Sequence, residues 1–161
     1  MKIYTVCFFG HRYIENTLEI EKRLETILHD IIIQHEYVEF LIGRDGEFDL
    51  LASAAIKRAV NKCDYGNTSF ILVLPYMKSE YRENKEYYLD YYDEVEICEA
   101  SVEVHPKSAI QVRNRNMVDR SDLVICCIQH NSGGAYQTVQ YAMKHGKKLI
   151  NLAENDTNNT V

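Results

Sequence analysis

Short hydrophobic runs alternate along this chain with longer segments in which apolar residues recur every three or four positions. A short, continuous apolar run is typical of a strand that is buried on both faces, whereas the longer spacing is typical of an amphipathic helix. The runs predict buried strands at Ile3–Phe9, Tyr37–Ile42, Ser69–Leu74, Leu123–Ile128 and Lys148–Leu152. The amphipathic segments predict helices between them, at about Thr17–Gln34, Phe48–Ala59, Lys107–Arg120 and Gly134–His145.

The first predicted helix has a candidate N-cap. Asn16 precedes this helix and Glu19 stands at the capping-box position, so we expect the Asn16 side chain to cap it.

The segment between Lys78 and Glu103 has a weaker hydrophobic pattern than the rest of the chain. Its tyrosines at positions 87, 88, 91 and 92 share a predicted helix that either lies on the core or forms a dimer contact, and we favour the core. Glu94–Cys98 alternates as an outer strand.

Strands that alternate with helices imply parallel βαβ units with right-handed crossovers. The fold class is therefore predicted as α/β, with three layers and a mostly parallel sheet flanked by helices. A chain of 161 residues fits one domain with a substantial core, which we assign to residues 1–153. Residues 154–161 are polar and are expected to form a disordered tail.

Composition and charge narrow the classes of partner. The formal net charge of -6 and the isoelectric point near 5.5 count against binding to nucleic acid, which needs a basic surface. No apolar run is long enough to span a membrane, and the N-terminal run lacks the features of a signal peptide.

The five cysteines form no Cys-x-x-Cys pair and indicate reduced core residues of a cytoplasmic protein. The histidines lack ligand spacing, so no metal site is predicted.

Three glycine-marked breaks stand where a hydrophobic run ends or a helix begins. They are Gly10-His11-Arg12, Gly43-Arg44-Asp45-Gly46 and Ser132-Gly133-Gly134. A glycine turn that leads into a helix presents free backbone N–H groups, which bind an anion and most often a phosphate. Parallel sheets bind ligands outside the carboxyl ends of their strands. The sequence therefore predicts one shared site for a nucleotide-like ligand at that edge.

The individual residues of these turns leave alternatives open. Gly10 is either a tight turn or a ligand contact, and His11 with Arg12 would place a donor and a cation beside it. Gly43 and Gly46 match neither the dinucleotide-binding fingerprint nor the P-loop. Asp49 follows at the start of a helix. It either caps the helix or interacts favourably with the helix dipole, or else it accepts hydrogen bonds from a ribose, and the structural role is slightly favoured.

The best predicted phosphate seat is Ser132-Gly133-Gly134, because this turn opens a helix. The most unusual side chain is that of Arg113, which shares a helical face with Asn114 and with the apolar residues Ile110 and Met117. An arginine that points partly inward needs an anionic partner. That partner is either a structural carboxylate or a ligand phosphate, and we favour the phosphate.

The order of these motifs resembles the SLOG superfamily, the Rossmann-like group that includes the Smf/DprA domain and the LOG phosphoribohydrolases. It looks closest to the small YpsA-like branch. The matching segments span nearly the whole chain: Phe8–Arg12, Gly43–Ala52, Leu72–Tyr76, Arg113–Asp122 and Gly133–Ala142. The resemblance implies a Rossmann-like sheet whose glycine loops hold a nucleotide or an ADP-ribose-like ligand. It also implies a dimer, because LOG relatives pair.

The same resemblance sets the competing functions. LOG enzymes hydrolyse the N-glycosidic bond of a nucleoside monophosphate with an arginine, which matches Arg113, and a glutamate. Val139 or Gln140 stands where that glutamate is expected, so the catalytic residues are unknown and little base release is expected. Glu47 or Asp49 would have to replace the lost acid. DNA processing of the Smf/DprA type is the third alternative, which the acidic charge disfavours. Binding requires no cofactor beyond the ligand.

Overall fold

A computed structural model describes residues 1–154. Of the predicted tail at 154–161, all but Glu154 lies outside the described residues. The strands form one parallel sheet: β1 Ile3–Gly10, β2 Tyr37–Ile42, β3 Thr68–Leu74, β4 Glu94–Ile97, β5 Leu123–Cys127 and β6 Lys148–Asn151. Their order across the sheet is β4-β3-β2-β1-β5-β6. The predicted α/β class is confirmed, with every strand pair parallel.

Helices connect the strands: α1 Thr17–Gln34, α2 Glu47–Cys63, α3 Ser79–Glu83, α4 Lys85–Tyr91, α5 Glu99–Val102, α6 Pro106–Asp119 and α7 Gly134–Lys144. Side chains alternate across each strand, so the sheet buries two separate apolar layers. Val6 and Phe8 of β1 pack with α1 and α2, while Cys7 and Phe9 pack with α6 and α7. The predicted three-layer arrangement follows from these two cores.

The tyrosine-rich segment packs mainly inward. Tyr81, Tyr88 and Tyr92 are buried in the same layer as α1 and α2, and their rings contact one another and Phe70. The favoured interpretation, a segment laid on the core, is therefore confirmed for these rings. Tyr92 lies just after α4 rather than within it. The short helices α3 and α5 were not predicted, because four or five residues carry no helical periodicity.

The expected cap of α1 is wrong. Asn16 occupies the N-cap position, but its backbone is left-handed, with φ 57° and ψ 41°, and its side chain makes no capping hydrogen bond. A capping side chain needs an extended backbone at this position to reach the first amides of the helix. The left-handed conformation turns the side chain elsewhere. The backbone carbonyl of Asn16 still accepts the N–H of Ile20.

The cysteines are free thiols, as predicted. Four of them are buried, and burial raises the pKa of Cys7 and of Cys127 to about 12. These two thiols are therefore protonated and unreactive at neutral pH.

Among residues 1–154, no helix is long and apolar enough to cross a membrane. The described residues also contain no group of three or more His, Cys, Asp or Glu side chains that could hold a metal ion.

Candidate functional site

The three glycine loops surround one cavity at the carboxyl edge of the sheet. Strands β2, β1 and β5 are neighbours, so the loops that follow them lie side by side. The cavity has a volume of about 410 Å³ and is lined by residues of all three loops and of α6. The prediction that Gly10, Gly43 and Gly133 meet at one end of the sheet is confirmed. Contact of these residues with a ligand stays a prediction.

All but three of the predicted site residues line this cavity: Gly10, His11, Arg12, Gly43, Asp49, Arg113, Asn114, Gly133 and Gly134. Tyr13, Asp45 and His130, which were not predicted from the sequence, line the cavity as well. Asp45 stands inside a glycine turn, and His130 follows β5 closely. Both residues follow the carboxyl end of a strand, which is where parallel sheets bind ligands, so their sequence positions could have predicted them.

The remaining three predicted residues lie elsewhere. Arg44 turns toward the buried tyrosines: its Nη1 donates to the Tyr92 hydroxyl at 3.0 Å, and its guanidinium lies 5.1 Å from the centre of the Tyr88 ring. Gly46 packs against the backbone of the β1–α1 loop. Ser132 is exposed, and its hydroxyl lies 3.0 Å from Nδ1 of His130. None of the three lines the cavity.

The β1–α1 loop is bound to the β5–α7 loop on one side. The His11 and His130 rings stack, with centroids 3.6 Å apart, and the backbone N–H of His130 donates to Nε2 of His11. Burial, and then the neighbouring His130, lower the pKa of His11, so His11 is neutral at pH 7. Two further hydrogen bonds join Glu15 to the Gln129 side chain.

The same loop is bound to the start of α2 on its other side. The Glu47 carboxylate accepts the N–H of Ile14 at 2.9 Å, and the N–H of Glu47 donates to the carbonyl of Arg12 at 2.9 Å. Loops held on both sides lose little conformational freedom when a ligand binds. The cavity wall is therefore largely pre-formed.

Arg113 is buried, not half-buried, and its partners are protein groups. Its side chain is 2% exposed and donates to Asp45 Oδ2 at 2.5 Å, to the Val73 carbonyl at 2.9 Å and to Asn114 Oδ1 at 3.0 Å. The structural carboxylate, which the sequence analysis ranked second, is thus the partner present. A Cβ at Gly43 would lie 2.8 Å from Asp45 Oδ2 and 3.2 Å from Arg113 Nη1, so glycine leaves room for the ion pair.

A chain of hydrogen bonds runs from Asp45 across α6 to the phosphate seat. Arg113 Nε donates to Asn114 Oδ1, and Asn114 Nδ2 donates to Thr138 Oγ1 at 3.0 Å. Thr138 Oγ1 lies 3.0 Å from the carbonyl of Gly134, to which it donates. Arg113 and Asn114 therefore hold the β2–α2 loop and the β5–α7 loop in a fixed relation to each other.

Asp49 and Asp45 form a pair of carboxyl groups with different proton affinities. Asp49 Oδ2 accepts the backbone N–H of Asp45 at 2.9 Å, and Asp45 stands one residue before the N-cap Gly46. This bond therefore holds the β2–α2 loop and does not satisfy an amide of the helix. Burial, and then the charge on Asp45, raise the pKa of Asp49 to about 7. Burial opposes ionisation of Asp45 as well, but the Arg113 and Lys78 cations overcome it and lower the pKa of Asp45. Asp45 is therefore ionised at neutral pH.

The seat predicted at Gly133 has the expected geometry. Gly133 precedes α7 with φ 94°, a backbone conformation that favours glycine, and α7 begins at Gly134. The first N–H groups of a helix have no carbonyl partner within it. The nearby Arg12 is exposed, and its side chain makes no hydrogen bond or ion pair with any residue of the described range. Cationic and N–H donors thus face one cavity.

No carboxyl side chain stands at the position where the LOG resemblance implies a glutamate. Val139 is 4% exposed and packs in the apolar layer beneath α7, and Gln140 is exposed. Neither lines the cavity. The other candidate acid, Glu47, does not line it either, because its carboxylate holds the Ile14 amide.

Two solved structures are similar to this one. The first is DNA processing protein A from Streptococcus pneumoniae, with a TM-score of 0.63 and 18% identity over 90% of this chain and 48% of that one. The second is DNA processing protein A from Helicobacter pylori, described for its single-stranded DNA binding mode, with a TM-score of 0.64 and 17% identity over 98% of this chain and 68% of that one.

This chain therefore spans about half the length of the Streptococcus pneumoniae protein, 48% of it. No protein-family model matches the chain, and no curated protein does. At such low identity the likeness shows the fold alone. It supports the Rossmann-like fold that the SLOG resemblance implied, while membership of the YpsA-like branch stays a prediction.

Proposed function

We propose that this cavity binds the phosphate of a nucleotide or nucleotide-derived ligand, such as one containing ADP-ribose. The observation that carries the proposal is the position of Arg12, a cation without a protein partner in the described range, at the same cavity as the first amides of α7. A guanidinium and a helix N-terminus are both strong donors to phosphate oxygens. A volume of about 410 Å³ suits a small-molecule ligand.

In this proposal Arg113 is not the main phosphate ligand. Three of its five N–H donors are already used by Asp45, Val73 and Asn114. A phosphate beside it would also approach the Asp45 carboxylate, which repels an anion. Arg113 instead fixes the two loops between which the ligand lies. The cation that binds the phosphate is Arg12.

We predict that Arg12→Ala weakens the binding of phosphate-bearing ligands by about 1.5–3 kcal/mol, or roughly 10- to 100-fold, because a charge-assisted hydrogen bond is lost. A thermal-shift screen of ADP-ribose, AMP and inorganic phosphate selects the probe, and isothermal titration calorimetry then measures its affinity. Arg82→Ala is the matched control, since Arg82 is exposed and lies outside the cavity. Equal affinities of the Arg12 and Arg82 variants would refute the assignment.

Single-stranded DNA is a second candidate ligand, because one similar structure was described for binding it. Its phosphodiester groups offer the same chemistry to Arg12. The net charge of -6 opposes a long polyanion. An oligonucleotide that binds far more tightly than a mononucleotide, with an affinity that falls steeply with salt, would favour DNA over a small nucleotide.

Hydrolysis of nucleotides is the least supported reaction. The position of the LOG glutamate holds a core valine and an exposed glutamine, so no carboxylate there stabilises a developing sugar cation. We expect little or no free base when the protein is incubated with nucleoside monophosphates, as followed by chromatography. Rapid base release that disappears in Asp49→Asn would show that the acid had moved to the β2–α2 loop.

A further inference from the structure

The cavity has two chemically different ends. The loops after β1 and β5 contribute Arg12 and the start of α7, which are donors, whereas the β2–α2 loop contributes Asp45 and Asp49. Strand β1 lies between β2 and β5 in the sheet. Because neighbouring strands are about 4.8 Å apart, the start of α7 and the carboxyl end are roughly 10 Å apart. The backbone of Arg12 lies between them, in contact with Gly46. One ligand with the dimensions of a sugar phosphate can reach both.

The carboxyl end has an unused acceptor. Asp49 is 8% exposed, and its Oδ2 accepts the amide of Asp45. Its second oxygen makes no hydrogen bond within the described residues and is not one of their buried unpartnered atoms, so it is accessible where the side chain lines the cavity. A carboxyl oxygen of this kind can accept a hydrogen bond from a bound ligand. A group that donates a hydrogen bond would satisfy it.

The negative charge at the β2–α2 end of the cavity favours binding of sugar hydroxyls there over a second phosphate. Asp45 is an anion, with Lys78 at 3.4 Å and Arg113 at 2.5 Å as its partners. A second phosphate placed here would face that anion and the Asp49 carboxyl group. Sugar hydroxyls face no such repulsion, and they donate hydrogen bonds that carboxylate oxygens accept.

We infer that the ligand is a ribose phosphate, free or within a nucleotide, whose sugar hydroxyls donate to Asp49 while its phosphate lies at Arg12 and the start of α7. This inference rests on the proposed phosphate site and adds the sugar that the site selects. A ligand that lacks the 2-hydroxyl leaves this Asp49 oxygen without one of its donors. The site therefore discriminates ribose from deoxyribose, and so against DNA.

The test compares inorganic phosphate, ribose 5-phosphate and 2-deoxyribose 5-phosphate by isothermal titration calorimetry. The titrations are made at pH 8, above the pKa of Asp49, which burial raises to about 7. Asp49→Asn retains an oxygen for the Asp45 amide and presents an NH₂ group, a donor, where the wild type presents an acceptor. Asp90→Asn, an exposed position on α4, is the control.

We expect the wild type and the Asp90→Asn variant to bind ribose 5-phosphate about 10-fold more tightly than the deoxy sugar, the factor set by one hydrogen bond to a charged group. In Asp49→Asn the two sugars bind alike. Arg12-dependent binding of all three probes without sugar discrimination would overturn this inference and leave the phosphate site intact. Binding of none of the probes would overturn both.

Discussion

Asp45→Ala is expected to lower the free energy of unfolding by about 3 kcal/mol, the lower end of what breaking a buried ion pair costs. The reason is the asymmetry of the pair: the Arg113 side chain is 2% exposed and the Asp45 side chain 27%. Without Asp45, the guanidinium retains only the Val73 carbonyl and the Asn114 amide as acceptors. For a domain of this size the melting temperature should fall by roughly 6–12 °C, as calorimetry measures.

Two further variants separate the ion pair from other effects. Asp45→Asn keeps an oxygen opposite Arg113 and should lose less stability than Asp45→Ala. In the double variant Asp45→Ala with Arg113→Met, the uncompensated buried cation is gone, so part of the lost stability should return. Additive effects in this double-mutant cycle would show that the two side chains do not depend on each other.

The second large effect is a pH dependence that comes from Asp49. Its pKa in the folded protein is raised from 3.8 to about 7, chiefly by burial. Between these values the folded state binds more protons than the unfolded state, so this group's contribution to stability is greatest below pH 4 and is lost as the pH rises to 7. The shift from 3.8 to about 7 corresponds to about 4 kcal/mol across that window.

Asp49→Asn should remove this dependence, because an amide keeps the hydrogen bond to Asp45 and does not titrate. The measurement is the difference in urea unfolding free energy between wild type and Asp49→Asn at pH 5 and at pH 8. The difference cancels the titration of His11, and Asp45, whose pKa is lowered, stays ionised over this pH range. We expect the variant to gain about 3 kcal/mol relative to wild type between these two values. Parallel pH profiles of the two proteins would contradict the assignment.

The parts of the fold that carry a local signal were predictable. The run Tyr37–Ile42 is bounded by polar residues and a glycine, and the predicted strand has the same bounds as β2. The helix Thr17–Gln34 likewise agrees with α1, because its apolar spacing persists over 18 residues. The side chain of Asn16 was mispredicted, since its left-handed backbone depends on the path of the preceding loop and not on residue type alone.

The location of the site was predictable from the sequence, but the contacts between its side chains were not. Glycine turns after consecutive parallel strands must lie at one edge, and the cavity is there. The partner of Arg113 lies 68 residues away at Asp45, and His130 stacks on His11 across 119 residues. Spacing patterns relate residues that are close in sequence, so they do not predict contacts between residues this far apart in the chain. The sequence therefore favoured Arg113 as the phosphate ligand, whereas its burial and its ion pair with Asp45 are the reasons why we propose Arg12 for that role.

The most direct test of the phosphate site uses the glycines, because the chain contains seven of them. Gly10, Gly43, Gly133 and Gly134 line the cavity and Gly46 lies beside it, whereas Gly66 and Gly146 precede β3 and β6 at the opposite edge of the sheet. Protein labelled with ¹⁵N at glycine alone is titrated with ribose 5-phosphate and observed by NMR.

We expect the amide signals of Gly133 and Gly134 to shift most and those of Gly10 and Gly43 to shift less. The signals of Gly66 and Gly146 should stay unchanged, and Arg12→Ala should abolish the shifts at the same ligand concentration. Shifts confined to Gly66 or Gly146, or no shift at Gly133 and Gly134 at saturating ligand, would contradict the claim that this edge of the sheet binds phosphate.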